Sequence, residues 1–290
     1  MKKILPLSIF IFLSGTGFSQ INQFWLVQQF FNPSVTGAHY DHEAHALVDY
    51  QHFDPNVDVY YTFLGYSTKL NKWNSGLGFT FDRRSNSYTN RTDGELTYAY
   101  HMKLSEKSRL SMGLSMGIHQ YDMSAVNGYY YDQYLVVDTI HGGKGSTFSA
   151  GLGMTYRANR FKLGISANQL TKGKVRAGDF TFNETIGYYL YSSYYFGDSS
   201  RFSFQPVMMY RLEDQFSEFQ IGLVSNYKEM ISVGLSARFR DSYTLSVGYT
   251  FKNTLTLSYA FETTISKLNN NNLSGIHEVH LGWKFNRRTK

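Results

Sequence analysis

HEVHLGWKF, residues 277–285, puts Val279, Leu281, Trp283 and Phe285 at alternate positions, with Glu278, His280, Gly282 and Lys284 between them. Successive side chains of an extended chain point to opposite faces, so this segment reads as a strand with one apolar and one polar face. Three segments upstream repeat the pattern. Leu255, Leu257, Tyr259 and Phe261 alternate with Thr256, Ser258, Ala260 and Glu262, and Tyr243, Leu245, Val247, Tyr249 and Phe251 alternate with Thr244, Ser246, Gly248 and Thr250. Ile231, Val233, Leu235 and Phe239 face one way, leaving Ser232, Gly234, Ser236, Arg238 and Arg240 on the other. A soluble sandwich and a membrane barrel share this period of two, so the choice between them rests on the rest of the chain.

Lys2 and Lys3 precede a short apolar run from Ile4 to Phe12, and small residues follow up to Ser19. This is the pattern of a cleaved secretory signal peptide over residues 1–19. The run is well short of the roughly 20 residues that a spanning helix needs, and no later stretch approaches that length. Without cysteine there is no disulfide framework, thiolate metal site or lipidated N-terminal cysteine. The formal charge of +6 includes Lys2 and Lys3, and the other basic residues are scattered, which argues against nucleic acid as a partner. With 24 tyrosines, 23 phenylalanines, 25 glycines and only four prolines, the composition is aromatic and glycine-rich. A mean hydropathy of −0.35 is too polar for helical spans. Outer-membrane barrels combine these features, because only alternate residues meet lipid and aromatic girdles mark both interfaces.

From Glu43 onward about fourteen segments have the length and pattern of tilted membrane strands. They cover roughly 43–52, 57–69, 75–83, 92–102, 109–121, 146–156, 161–169, 185–196, 201–211, 217–226, 230–240, 243–251, 254–262 and 275–286. If the first strand runs outward, the inner connections NKWN, KLSEKS, RANR, GDSS, YKE and KN are all short. The longest connections, 122–145, 170–184 and 263–274, then share the outer end. Bacterial barrels segregate their loops in this way, whereas a sandwich has no reason to. The expected fold is an all-β, transmembrane, antiparallel up-and-down β-barrel over residues 43–286. Residues 20–42, with Phe24, Trp25, Phe30 and Phe31, form a periplasmic or lumenal segment. Fourteen strands with mostly small inward residues enclose real space, which that segment is the natural candidate to occupy.

No motif supports catalysis. GLSMG, residues 113–117, matches the nucleophile elbow in letters, but Ser115 falls mid-strand rather than on a strand-to-helix turn. In HYDHEAH, His39, His42 and His45 lack the helical metal spacing, and HGGKGST, residues 141–147, lacks phosphate-loop spacing and reads as a flexible loop tip. No metal or cofactor is expected. The inward charges Arg238, Arg240, Glu262, Glu278, His280 and Lys284 are expected to form a lumen network that holds strands in register. Tyr129, Tyr130, Tyr131 and Tyr134 in the longest outer loop suit either contact with a protein partner, since tyrosine brings area at low entropic cost, or a place in the outer aromatic girdle.

The blocks QQFFNPSVTGA (28–38), GLGFTFDRR (76–84), LTYAYHMKLSEKSRLSMGLSMGIHQY (96–121), FKLGISANQL (161–170) and YAFETTISKLNNNNLSGIHEVHLGWKF (259–285) resemble the PorP/SprF family of type IX secretion system outer-membrane proteins. That resemblance spans nearly the whole mature chain. It implies a non-enzymatic barrel in the outer membrane of a Gram-negative bacterium, working with secretion and gliding machinery. It also implies partnership with an exported cargo protein, often through the cargo's C-terminal domain, which the barrel helps secrete or anchors at the cell surface. An outer-membrane diffusion channel or transporter for small solutes is the alternative that the residues leave open.

Overall fold

The computed structural model describes residues 21–54, 57–125, 130–131, 134–135, 140–198, 201–214, 216–265 and 275–286, so the signal-peptide reading of residues 1–19 lies outside them. Fourteen antiparallel strands close into one barrel. They are β1 (His42–Asp54), β2 (Val57–Leu70), β3 (Ser75–Ser85), β4 (Thr89–Lys103), β5 (Ser108–Met123), β6 (Gly143–Ala158) and β7 (Phe161–Asn168). The second half comprises β8 (Gly187–Tyr194), β9 (Phe202–Glu213), β10 (Phe216–Tyr227), β11 (Ile231–Arg238), β12 (Ser242–Phe251), β13 (Leu255–Thr264) and β14 (Ile276–Phe285). Each strand pairs with its neighbours in sequence, and β14 closes on β1 in a register running from His42 opposite Phe285 to Gln51 opposite Ile276. No described helix is long and apolar enough to cross a membrane.

The alternation sets the two surfaces. Val279, Leu281, Trp283 and Phe285 are exposed outside the barrel while Glu278 and His280 are buried inside it. Met112, Leu114, Met116 and Ile118 of β5 likewise face out, and Ser111, Ser115 and His119 face in. A continuous apolar outer face around a closed sheet leaves no strand edge unpaired, which is the condition for crossing a bilayer with strands.

One end of the barrel carries only short turns, near residues 71–74, 104–107, 159–160, 228–230 and 252–254, with the slightly longer 195–201. Lys228 and Glu229, and again Lys252 and Asn253, are consecutive left-handed residues. Such pairs match the right-handed twist of a tight hairpin. The connections 124–142, 169–186 and 265–275 all lie at the opposite end. Short turns mark the periplasmic end of a bacterial barrel and long loops the outer end.

The outer connections carry structure of their own. Lys174–Ala177 pairs with Phe180–Asn183 in a hairpin turning at Gly178 (φ +66°), and Tyr130–Tyr131 pairs with Tyr134–Leu135. The first hairpin lies against the barrel, with Val175 and Ala177 buried and Phe182 stacked 4.9 Å from Tyr121. This corrects the reading of residues 141–147 as a flexible tip. Gly143 and Gly145 begin β6, and a Cβ on either would meet hairpin backbone, at 2.5 Å from Gly178 N and 2.3 Å from Arg176 O. Asp179 accepts from the His141 amide and ring, which holds its carboxyl below the usual range.

Candidate functional site

The lumen is occupied by the chain's own N-terminal segment. After Ile21 the backbone makes two single 3-10 turns, Gln28–Phe30 and Pro33–Val35. The second is capped by Asn32, whose Oδ1 accepts from the Ser34 amide at 3.0 Å and its hydroxyl at 2.7 Å, with Pro33 at the first helical position. Phe24 and Phe31 bury against Tyr191, Val207 and Met209, while Ile21 and Val27 bury against Leu47, Tyr61 and Phe63. The inner wall is therefore not uniformly small. Bulky residues on β1, β2, β8 and β9 fill the space beside the plug, and small residues stand where plug backbone touches the wall.

Glycines make that approach possible. A Cβ at Gly113 would lie 2.4 Å from Ser34 N, one at Gly76 2.2 Å from Thr36 O, and one at Gly153 2.1 Å from Asn32 Oδ1. Gly113, the first glycine of GLSMG, is thus a seat for the plug, and Ser115 sits buried mid-strand opposite Thr97 and Gly151. Gly113→Val is expected to dislodge the Pro33–Ser34 turn and cost about 1–3 kcal/mol, as overpacking does. Faster proteolysis or amide exchange over residues 28–36 in the folded variant checks it.

Polar contacts fix the plug's register. Glu278 accepts from the Asn22 amide (2.7 Å), the Gln23 amide (3.0 Å) and Gln23 Nε2 (3.0 Å). His101 Nε2 donates to Thr36 O at 3.0 Å, and the Ser34 and Thr155 hydroxyls meet at 2.7 Å. Ser166 and Asn168 both donate to Phe31 O. Arg238 donates to Glu262 (2.7 Å), Glu218 (3.1 Å) and, more distantly, Asn22 Oδ1 (3.5 Å), which links the strand wall to the plug. His280 hydrogen-bonds His45 across the β14–β1 seam at 2.9 Å, and Lys284 lies 5.3 Å over the Tyr40 ring. Arg240 departs from the expected placement. β11 ends at Arg238, the chain turns with Arg240 left-handed (φ +63°), and its exposed guanidinium lies 5.4 Å over Phe239, because alternation does not continue through a turn.

A second cluster, invisible in the sequence, lies on the outer side of the plug. Arg91 pairs with Asp93 at 2.7 Å, and His119 faces Glu184 at 2.6 Å and Glu95 at 3.0 Å. Glu184 follows the Lys174–Asn183 hairpin, so this cluster ties an outer loop to the wall. Alternation places His119 inward, but nothing local marks the loop residue that meets it. The three histidines of residues 39–45 take separate partners: Arg157, Tyr66 and His280. Tyr129 lies outside the described residues, and Tyr130, Tyr131 and Tyr134 belong to the short outer hairpin.

Two cavities flank the plug. The outer one, about 60 Å³, lies among Phe30, Asp82, Arg84, Arg91 and Arg211. The periplasmic one, about 490 Å³, is a vestibule lined by Trp25, Gln28, His39, Arg157, Arg160 and Lys162.

The profile of the family described as "Type IX secretion system membrane protein PorP/SprF" matches residues 14–283. No curated protein matches the chain. Among solved structures, the Ralstonia pickettii toluene transporter TbuX is similar at a TM-score of 0.58 and 10% identity, over 90% of this chain and 94% of that one. The CymD monoaromatic hydrocarbon channel is similar at 0.55 and 11%, over 91% and 94%. A Pseudomonas aeruginosa FadL homologue follows at 0.53 and 10%, over 88% and 93%. At these identities the likeness is one of barrel fold.

Proposed function

Given that this chain belongs to the PorP/SprF family of type IX secretion system membrane proteins, we propose that it is a non-enzymatic barrel of the Gram-negative outer membrane that helps secrete an exported cargo protein or anchors it at the cell surface. The observation that carries this reading is the division of labour in the barrel. Its own segment occupies the lumen through contacts with both halves of the wall, while every long connection stands at the outer end. Such a barrel suits holding a partner on its outer face better than conducting a solute. The cargo's C-terminal domain is the partner part that the family relationship favours, with other type IX components on the periplasmic side.

Deleting residues 127–138, which contain Tyr129, Tyr130, Tyr131 and Tyr134, is expected to release cargo into the medium while the barrel still assembles. Immunoblots of medium and outer membranes check it, and unchanged surface display would remove the loop from this role. The second reading, a channel for small solutes, draws on the barrel shared with TbuX and CymD, a transporter and a channel. Stable conductance of the intact purified chain in planar bilayers would favour it.

A further inference from the structure

Three cationic side chains stand in one row across adjacent strands at the periplasmic end of the lumen. Arg109 of β5 is the register partner of Arg157 of β6, and Arg157 is the register partner of Lys162 of β7. Their neighbours Tyr156 and Leu163 face lipid, so the row faces inward. Like charges directly opposite one another destabilise an antiparallel pair. A wall with only a structural role would separate them or interleave carboxylates.

The barrel does interleave carboxylates elsewhere. Arg91 lies 2.7 Å from Asp93, Arg211 2.6 Å from Glu213, and Arg238 2.7 Å from Glu262. Among the described residues, no carboxylate comes within 4.0 Å of Arg109, Arg157 or Lys162. Arg157 Nη1 meets His39 Nδ1 at 2.8 Å, and Lys162 Nζ donates to Gln28 Oε1, with His39 Nε2 at 3.3 Å and the Tyr191 ring of the wall 5.9 Å away. Glu43, the carboxylate on the vestibule wall, lies 3.2 Å from His45. The 490 Å³ vestibule into which Arg157 and Lys162 project has the size of a ligand pocket, and Arg160 adds a third cation to its lining, with Arg109 beside it in the row.

We propose that this row binds a carboxylate-bearing peptide segment presented from the periplasm, with acidic side chains or a chain terminus bridging Arg157 and Lys162. A planar guanidinium takes a carboxylate through two parallel hydrogen bonds. The strand wall separates the row from the surrounding bilayer, so headgroups in the membrane do not reach it. Trp25, Leu26, Val35 and Tyr195 line the same vestibule and offer apolar faces that a peptide uses and an inorganic anion does not. The secretion role supplies only the source of the segment; the site itself is tested on the purified protein, whatever the outcome of the display experiment.

The test is fluorescence anisotropy of labelled hexaglutamate with the full mature chain in detergent, with inorganic phosphate and phosphatidylglycerol as separate competitors. Saturable binding is expected, weakening with salt. Arg157→Gln/Lys162→Gln should weaken it at least tenfold, while Lys72→Gln/Lys252→Gln, exposed at the same end, should leave it unchanged. Equal losses in both double variants, or no binding, would overturn the proposal. So would binding of phosphate or lipid without binding of hexaglutamate. Arg109→Gln removes charge from the row without removing a described side-chain hydrogen bond, and should raise the melting temperature in the absence of anions. A lowered melting temperature would make the row structural and also sink the proposal.

Discussion

Deleting residues 21–38 is expected to turn a barrel that passes no steady current into one with stepwise conductance in planar bilayers. Eight strands make a wall that side chains just fill and sixteen to eighteen leave an aqueous channel, so fourteen emptied strands enclose water. In the intact chain the plug fills much of that space, with cavities of about 60 Å³ and 490 Å³ on either side of it. Glu278 is the strongest single hold, because it accepts three hydrogen bonds from Asn22 and Gln23. Bonds to a charged group contribute about 1.5–3 kcal/mol each, without full additivity. Glu278→Ala should therefore weaken docking of residues 21–23 by about 3–5 kcal/mol, and produce intermittent openings where the deletion produces lasting ones. An intact chain and a deletion variant with the same conductance would refute the plug's role.

Leu281→Arg is expected to cost far more than Phe285→Arg, although both side chains are 44% exposed on the lipid face. Leu281 lies mid-strand, flanked in register by Ala46 and Leu257, whereas Phe285 pairs with His42 at the first residue of β1. An arginine facing lipid costs about 2–4 kcal/mol at the bilayer midplane and about 0–1 near the interface. The interfacial arginine can extend to water, as Lys252 does 5.2 Å over the Phe251 ring. On the opposite face, His280→Ala removes one hydrogen bond to His45 and should cost about 1 kcal/mol. Denaturant titration of the refolded barrel in lipid vesicles measures all three, and equal costs at positions 281 and 285 would contradict the depth assigned here.

The barrel was legible because its signals are local. Alternation over eight to ten residues separates Leu281 from His280 without knowledge of any partner strand, and turn pairs such as Lys252–Asn253 mark hairpins within two residues. The separation of short turns from long loops then orients the strands, which is why the facing of Met112, Ser115 and His119 could be read from β5 alone. Parity failed at Arg240, where the strand had already ended, and composition misled at residues 141–147, where glycines that looked like looseness pack closely against a hairpin.

The sequence by itself thus determined the strand number, the two faces and the polarity of the barrel, since a period of two and a tight turn are properties of neighbouring residues. The tertiary structure alone decided how the lumen is used. Asn22 meets Glu278 across 256 positions, Ser34 meets Thr155 across 121, and Arg109, Arg157 and Lys162 form one row only because strand register aligns them. Closing the sheet brings these groups together, and no local pattern encodes which inward residue will face which part of the plug.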